Sequence, residues 1–222
     1  MLTFTDIKVH YIDRMGTDLT AVNAARISFA NESNTLTDKD EKLLNYLAKN
    51  EHMSPFEHCV LTVMIECPLY VRSQIQRHRT FSYNEVSRRY TSDGLEFYLP
   101  PMDDLRSQSK SNKQASDKAL GESEAKEIQV ALYNHCRQSL ELFEALVGRG
   151  LSREQARGIL PQCLMTKFYM TGNLRNWAHF IELREHPHAQ KEVQGIASAV
   201  KKEAIRLWPK TSEALFKHKR SV

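Results

Sequence analysis

Arginine side chains are concentrated in one short stretch of the chain, residues 77–90, which reads RHRTFSYNEVSRRY. Its fourteen positions hold four arginines and a histidine but a single acidic residue, Glu85. The guanidinium group is a rigid fork of five donors that fits phosphate and carboxylate oxygens two at a time. A solvated charged surface mixes both signs, and a membrane-surface helix interleaves large apolar residues at helical spacing. The stretch has neither pattern, so it predicts a binding surface for a polyanionic ligand that also has hydrogen-bonding edges.

Two later segments carry side chains of the same kind. One contains Arg157, and the other is residues 173–190, which contain Arg175, His179 and Arg184. Arg175 and His179 are four positions apart and share a face if this segment is helical. If the first stretch lines a binding site, these segments are the candidates for its remaining walls.

The first stretch resembles the signature of the flavin-dependent thymidylate synthases. That signature has fixed positions, all of which are filled here, by Arg77, His78, Arg79, Ser82, Asn84, Glu85, Ser87, Arg89 and Tyr90. A match at so many fixed spacings is far more specific than a lone glycine-rich loop. The resemblance extends from residue 26 to residue 190 and is weakest over 103–116. The alternative is an arginine-rich helix end that binds nucleic acid phosphates.

The resemblance implies a reductive methylation of dUMP to dTMP. Methylenetetrahydrofolate would donate the carbon, and NADPH would reduce a bound FAD that passes on the hydride. It also implies a homotetramer in which each active site takes residues from neighbouring subunits, with no nucleic acid or membrane partner. Because the flavin carries the redox chemistry, the protein would supply orientation and electrostatics.

The resemblance also implies roles for individual residues. Flavin contacts are expected for His52, Ser54, Arg77, His78, Arg79, Glu85, Asn173, Arg175, His179 and His188. Contacts with dUMP are expected for Gln74, Arg77, Glu85, Ser87, Arg88, Arg89, Arg157 and Arg184, with the arginines mainly on the phosphate. Arg184 would face the uracil ring and is the expected catalytic residue, because a guanidinium there stabilises negative charge that spreads over the ring as C5 attacks the carbon donor.

Several of these residues also have simpler interpretations. His52, His58 and His78 are alternatively interior histidines that are hydrogen-bonded, and Arg88 is alternatively a solvated surface charge. Arg175 alternatively forms an ion pair with Glu182, and Trp177 and Phe180 are alternatively core residues. His186 and His188 flank a proline, but two ligands without a third are a weak case for a metal, and no metal site is expected.

Two residues are candidate nucleophiles. Cys163 follows a Pro-Gln pair, but its apolar neighbours favour a buried, inert thiol. Ser87 has no neighbouring general base in the sequence, so its hydroxyl would stay protonated and bind substrate by hydrogen bonding. Neither residue is therefore expected to form a covalent intermediate.

Strands and helices must position these groups, and the hydrophobic pattern predicts an α/β (α+β) fold with a central mixed sheet and a long helical region. Strands are expected over 4–12, 60–65, 91–99 and 163–171. Helices are expected over 18–29 with Asp18 as N-cap, from 37 onward, over 69–79 with Gln74 and Arg77 on one face, and over 117–147, 173–183 and 188–208. Residues 103–116 lack periodicity and predict a mobile loop.

Length and composition fit one domain over residues 1–222. The net charge is +4 and the charged fraction 26%, values typical of a globular protein and milder than those of most nucleic-acid-binding domains. No signal peptide pattern is visible. The four cysteines form no Cys-x-x-Cys pair, which favours reduced thiols and a cytoplasmic protein.

Overall fold

Strands of 2 to 9 residues and α-helices of 4 to 27 residues make up the regular structure of the described chain. The computed structural model describes residues 2–90, 94–110 and 116–218. The strands are β1 Thr3–Phe4, β2 Lys8–Met15, β3 Val60–Pro68, β4 Ser82–Glu85, β5 Glu96–Phe97, β6 Arg106–Gln108, β7 Ser116–Ala119 and β8 Met165–Asn173. The helices are α1 Asp18–Arg26, α2 Asp38–Lys49, α3 Leu69–Ile75, α4 Glu122–Gly148, α5 Arg153–Ala156, α6 Leu174–Arg184, α7 Lys191–Leu207 and α8 Pro209–Lys217. The predicted α/β class is confirmed, and within the described residues no helix has the length and apolarity needed to cross a membrane.

The largest sheet has four strands in the order β2-β3-β8-β4. Strand β1 pairs in parallel with β5, and β6 pairs antiparallel with β7. Along β3 every second side chain is buried, at Leu61, Val63, Ile65 and Cys67, because successive side chains point to opposite faces of a strand. The strand predicted over 60–65 is therefore confirmed, and it continues to Pro68.

The chain divides into two compact units, each built from three separate stretches. The first unit comprises Met1–Lys8, Glu66–Arg77 and Glu85–Phe168. Its core contains Leu95, Phe97, Cys136, Leu140, Phe143, Ala156, Leu160 and Leu164. Three of these residues belong to the apolar stripe of α4, whose spacing of three to four positions predicted a long helix.

The second unit comprises Val9–Ile65, His78–Asn84 and Tyr169–Val222. Trp177 and Trp208 are fully buried in it, and each indole N–H finds a backbone acceptor, Leu61 O at 3.1 Å and Gly16 O at 3.0 Å respectively. A buried indole needs such an acceptor, since an unsatisfied donor costs about 1–3 kcal/mol. Whether 1–222 behaves as one domain stays a prediction.

The first predicted helix, expected over 18–29, spans Asp18–Arg26 and is capped by a different residue. Its N-cap is Thr17, whose backbone N–H donates to Thr20 Oγ1 at 3.0 Å in a capping box. The carboxylate of Asp18 instead accepts hydrogen bonds from the backbone N–H groups of Lys210 (3.3 Å) and Thr211 (2.8 Å) at the start of α8. The prediction of Asp18 as N-cap of its own helix was therefore wrong.

The signature residues 77–90 are less helical than expected. Helix α3 ends at Ile75, not at 79, so Gln74 and Arg77 do not share a helical face; Arg77 lies in the turn after the helix. Residues 82–85, for which no strand was predicted, form β4, whose side chains alternate between exposed and half-buried. The strand was not predicted because Asn and Glu are poor strand formers.

Other boundaries differ by smaller amounts. Of the strand expected over 91–99, residues 91–93 lie outside the described residues and only Glu96–Phe97 is a strand. Within 103–116, residues 106–108 form β6 and 111–115 lie outside the described residues, so mobility of this segment stays a prediction. Helix α7 ends before Pro209 as predicted, but this proline also begins a further helix, α8, since proline is tolerated in a first helical turn.

Candidate active site

Arg184, the expected catalytic residue, is the last residue of α6 and is half-buried in the second unit. Its Nε–H donates a hydrogen bond of 2.8 Å to Nε2 of His78. The His78 ring stands edge-on to Phe180, with ring centroids 4.9 Å apart. Two of the candidate residues, separated by 106 positions in sequence, are therefore in direct contact.

The electrostatics of this contact keep His78 neutral. Burial lowers the pKa of His78, and together with the electrostatic effect of Arg184 and His179 it brings this pKa to about 4. At neutral pH, Nε2 is then the acceptor and Nδ1 carries the proton, because the Arg184 Nε–H occupies Nε2. Burial also lowers the pKa of Arg184, but a guanidinium stays charged at any physiological pH.

Aromatic rings pack beside this pair within the second unit. Phe81 contacts Trp177 edge-on at 4.6 Å between centroids, and Trp177 contacts Phe180 at 5.7 Å. Trp177 and Phe180 are fully buried, so their interpretation as core residues is confirmed. Gly172 lies against the same cluster, and a Cβ there would stand 2.4 Å from the Phe81 ring. The Phe81 ring therefore occupies the space that a side chain at position 172 would need.

The first turns of α6 carry further candidates. Asn173 is the N-cap of α6, where its Oδ1 accepts the backbone N–H of Asn176 at 3.0 Å. Arg175 pairs with Glu57, and the Asn176 amide donates to Thr80 O at 2.9 Å. A cavity of about 440 Å³ is lined by Thr80, Arg175, Asn176 and His179, which confirms that Arg175 and His179 share a face.

The candidate histidines His52, His58 and His188 of the second unit are exposed. His52 and His58 lie at the surface, as does Ser54, so the interior interpretation is wrong for both histidines and fits only the half-buried His78. His188 is also exposed, and its backbone N–H donates to Nδ1 of His186 at 3.2 Å. Within the described ranges no cluster of three or more His, Cys, Asp or Glu could hold a metal ion. A cavity of about 720 Å³ includes Arg184 and His188 among its lining residues.

Glu85 is the centre of a hydrogen-bonded group in the first unit. Its carboxylate accepts from Thr166 Oγ1 at 2.6 Å and from Gln76 Nε2 at 3.3 Å, and it forms an ion pair with Arg72 Nε at 3.3 Å. Arg72 in turn donates to Gln76 Oε1 at 3.0 Å. None of these three partners was a sequence candidate. Arg72 and Gln76 are four positions apart, which is the one signal that could have suggested them.

Arginines 88, 89 and 157 lie in the first unit in different settings. Arg88 is half-buried and donates to the backbone oxygens of Gly94 (3.3 Å) and Met165 (3.4 Å), and burial lowers its pKa. Its interpretation as a solvated surface charge is therefore wrong. Arg89 is exposed and pairs loosely with Glu154 at 3.4 Å. Arg157 is also exposed, and its Nε donates to Glu154 O at 3.4 Å.

The other candidates of the signature stand at the surface or near it. Arg77 and Arg79 are exposed, Gln74 is half-buried, and the Ser87 hydroxyl oxygen accepts the backbone N–H of Arg89 at 3.3 Å. Cys163 is half-buried rather than buried, and its Sγ lies 3.4 Å from that of Cys136. All four cysteines are free thiols, as the spacing predicted.

Comparison with known proteins gives consistent matches along nearly the whole chain. Residues 10–210 match the family model described as thymidylate synthase complementing protein. A flavin-dependent thymidylate synthase from Thermotoga neapolitana is 39% identical over 210 residues, covering 95% of this chain and 91% of that protein. Another from Thermus thermophilus is 40% identical over 193 residues, covering 86% and 69% respectively.

A solved structure is similar in fold as well as in sequence. The UMP/dUMP methylase PolB from Streptomyces cacaoi, bound with 5-Br dUMP, superposes with a TM-score of 0.89 at 30% identity, covering 98% of each chain. The same methylase bound with 5-Br UMP gives a TM-score of 0.88. These matches are to enzymes that act on pyrimidine nucleotides, and they favour an enzyme over a nucleic-acid-binding module.

Proposed function

The chain belongs to the family of flavin-dependent thymidylate synthases, and from this premise we propose that it converts dUMP to dTMP by reductive methylation. Methylenetetrahydrofolate donates the carbon, and NADPH supplies the reducing equivalents through bound FAD. The observation that carries the proposal is the pair of Arg184 and His78, in which a half-buried guanidinium is held in a defined orientation without losing its charge.

The donor set on the first turns of α6 suits a flavin dinucleotide. Arg175, Asn176, His179 and Thr80 surround a cavity of about 440 Å³ and offer a guanidinium, an amide, an imidazole and a hydroxyl. Such donors fit pyrophosphate oxygens and the polar edges of a fused ring. The exposed residues His52, Ser54, Arg79 and His188 supply further contacts, as do Arg77, His78, Glu85 and Asn173. When bound, FAD provides the hydride chemistry, and these residues provide its binding and orientation.

The nucleotide substrate requires cations for its phosphate and hydrogen-bonding groups for its sugar and base. Arg89 and Arg157 are exposed and suit the phosphate, since guanidinium binds it through paired donors. Arg88 is fixed by two backbone oxygens, so it contributes a placed charge rather than a mobile one. Gln74, Arg77, Glu85 and Ser87 complete the proposed set, with Ser87 as a hydrogen-bonding group and not as a nucleophile.

Arg184 is the proposed activating residue. As C5 of the pyrimidine attacks the carbon donor, negative charge spreads over the ring and its carbonyl oxygens. A preorganised guanidinium in a partly dry site stabilises that charge without reorganisation, an effect worth about 10²- to 10³-fold in rate for a single donor. The orientation of Arg184 matters, because ordering a mobile cation costs free energy that offsets part of this stabilisation.

We also propose the assembly as a homotetramer in the cytoplasm, with sites shared between subunits. Many candidate residues are exposed on the isolated chain, as expected if ligands and a second subunit cover them. Mixed assemblies test this at dUMP concentrations below KM, where Arg184→Ala protein is inactive and Arg89→Ala protein is impaired. Subunit exchange between them raises turnover above that of either variant if one site draws these residues from different subunits. Absence of any recovery after verified exchange, with both variants tetrameric by light scattering, contradicts shared sites.

The reaction itself is tested by tritium release from dUMP labelled at C5. We expect release that depends on FAD, NADPH and methylenetetrahydrofolate together, and dTMP as the product. Bound flavin without tritium release would indicate a flavoprotein that has lost methylation, and no flavin binding at all would contradict the proposal. Parallel assays with UMP measure selectivity, which is of interest because the structural relative PolB is described as acting on UMP and dUMP.

A further inference from the structure

The geometry around Arg184 gives His78 a task of its own. We propose that His78 is a positioning residue, which holds the Arg184 guanidinium in its working orientation through an acceptor ring nitrogen. The inference rests on the proposed role of Arg184 and adds to it. It differs from the flavin contact that the signature implies for His78, since it acts through another side chain.

The hydrogen bond to His78 is made at the atom that best controls a guanidinium. Arg184 donates through Nε–H, at the junction of the aliphatic stem and the planar head, to His78 Nε2 at 2.8 Å. Because the head is rigid and planar, fixing the direction of Nε–H also fixes the plane in which both Nη groups lie. A bond to one Nη alone would leave rotation about that bond. His78 is therefore placed to orient the whole donor fork.

His78 is itself held firmly, as a positioning residue must be. Its ring packs edge-on against the fully buried Phe180, and its carbonyl oxygen accepts a hydrogen bond of 2.9 Å from the Tyr83 hydroxyl. Its sequence neighbours Arg77 and Arg79 are exposed, so only the middle residue of the Arg-His-Arg run turns inward. The same short run thus presents two cations at the surface and one acceptor to Arg184.

The acceptor must be neutral for this arrangement to hold. A protonated imidazole would present N–H groups to a guanidinium and repel it. Burial and the nearby groups Arg184 and His179 lower the pKa of His78 to about 4, so Nε2 remains an acceptor at neutral pH. An amide oxygen could replace it, because glutamine accepts hydrogen bonds and carries no titrating charge. Leucine fills similar space but offers no acceptor.

These differences define the test, which compares His78→Leu with the matched variant His78→Gln in flavin-loaded enzyme. We expect kcat to fall about 10- to 100-fold in His78→Leu, the scale of a misplaced catalytic group, with KM for dUMP changed less than about threefold. His78→Gln should recover most of the lost kcat. Every assay is run at saturating FAD, so that loss of the proposed flavin contact of His78 does not enter kcat, and thermal unfolding of both variants should match wild type. Equal loss of kcat in both variants, or an unchanged kcat in His78→Leu, would overturn the proposal.

Two further measurements separate this inference from the proposed function. In the double variant His78→Leu/Arg184→Ala, kcat should equal that of Arg184→Ala, because a positioning residue has no effect once its target is gone. Additive losses of kcat in the double variant would contradict a positioning role.

Crystal structures of the two single variants give a readout that needs no turnover. The Arg184 side chain should lose its orientation in His78→Leu and keep it in His78→Gln. If Arg184→Ala itself retains full turnover, the proposed function of Arg184 fails, whereas the crystallographic result still decides whether His78 orients it.

Discussion

Two regions of the molecule hold a half-buried arginine against a partner, and the partners differ in charge. In the first unit, Arg72 faces the carboxylate of Glu85 at 3.3 Å. In the second unit, Arg184 faces the neutral imidazole of His78 at 2.8 Å. A carboxylate brings a countercharge to the guanidinium that it orients, whereas a neutral imidazole orients a guanidinium without adding a countercharge. The second arrangement is the one that electrostatic catalysis needs.

The surroundings of the two arginines agree with this difference. Glu85 also accepts hydrogen bonds from Thr166 and Gln76, so the first region is a polar network around a carboxylate. In the second region the rings of Phe81, Trp177 and Phe180 pack together beside His78, and they contribute no countercharge. A charge beside an apolar wall acts over a longer range than a charge in water.

The strongest way to test this contrast is to remove the cation of the second region. Arg184→Ala should lower tritium release from labelled dUMP by about 10³-fold, because an oriented charge beside the reacting ring is lost. Arg184→Lys is the matched control: it keeps the charge but lacks the planar fork and the Nε–H, so it should remain strongly impaired. Near-normal turnover of the lysine variant would mean that charge alone suffices and that orientation by His78 is irrelevant.

The apolar wall can be tested without touching a charged residue. Gly172→Ala places a methyl group 2.4 Å from the Phe81 ring, and the packed rings must shift to accept it. We expect the free energy of unfolding to fall by about 1–3 kcal/mol, the usual cost of overpacking, as measured by urea denaturation. Gly158→Ala in the first unit is the control, since its Cβ would meet nothing within 4 Å. Equal stability of the two variants would contradict tight packing of the second region.

In the first unit, an exposed cation should affect binding and not turnover. Arg89→Ala should raise KM for dUMP about tenfold, equivalent to about 1.4 kcal/mol, while kcat changes little, because a phosphate contact is the same in ground and transition states. Arg153→Ala, at a nearby helix position with no proposed ligand, serves as control. A fall in kcat with unchanged KM would move Arg89 into the chemistry and remove the contrast with Arg184.

The smallest expected effect is on the pH dependence of the free energy of unfolding, and it comes from the lowered pKa of His78. Its pKa is lowered from 6.5 to about 4. Between pH 6.5 and 4, His78 is protonated in the unfolded chain but neutral in the folded chain. Its contribution to the free energy of unfolding is therefore fully present above pH 6.5 and is lost as the pH falls toward 4. A single proton changes the free energy of unfolding by at most about 1.4 kcal/mol per pH unit, and the change is smaller here because the His78 ring is only half-buried.

His78→Gln should flatten this part of the stability profile, as followed by urea unfolding at several pH values. The charged and titratable groups that face His78 are Arg184, His179 and Tyr83, and all of them remain in the variant. If the free energy of unfolding depends on pH in the same way in wild type and His78→Gln, the lowered pKa of His78 is contradicted. The same result would weaken the distinction between the two regions.

Local sequence rules predicted those parts of the fold that local interactions determine. A helix was predicted from residue 37 onward, and α2 begins there with a capping box, in which Thr37 Oγ1 donates to Asp40 at 2.6 Å. The apolar stripe of α4 was predicted for the same reason. Strand β4 was missed because its polar residues have little preference for a strand, and it forms only because a distant part of the chain pairs with it.

The candidate site divides in the same way. The resemblance supplied His78 and Arg184 as separate members of two motifs, but nothing in the sequence says that residues 106 positions apart form a hydrogen bond. Gln76, Arg72 and Thr166 were missed around Glu85, since their roles depend on the tertiary fold and not on spacing alone. Arg88 was ambiguous for the same reason, because only burial distinguishes a placed arginine from a solvated one.

The contact between Asp18 and the first turn of α8 has a consequence for how the chain is made. Arg14, Gly16 and Asp18 all bond to residues 207–211, almost two hundred positions later. During synthesis, the amino-terminal part of the second unit lacks these contacts until α8 has left the ribosomal exit tunnel. Such long-range closure is slow, so truncation of α8 should trap the nascent protein with an open core and make it a client of chaperones.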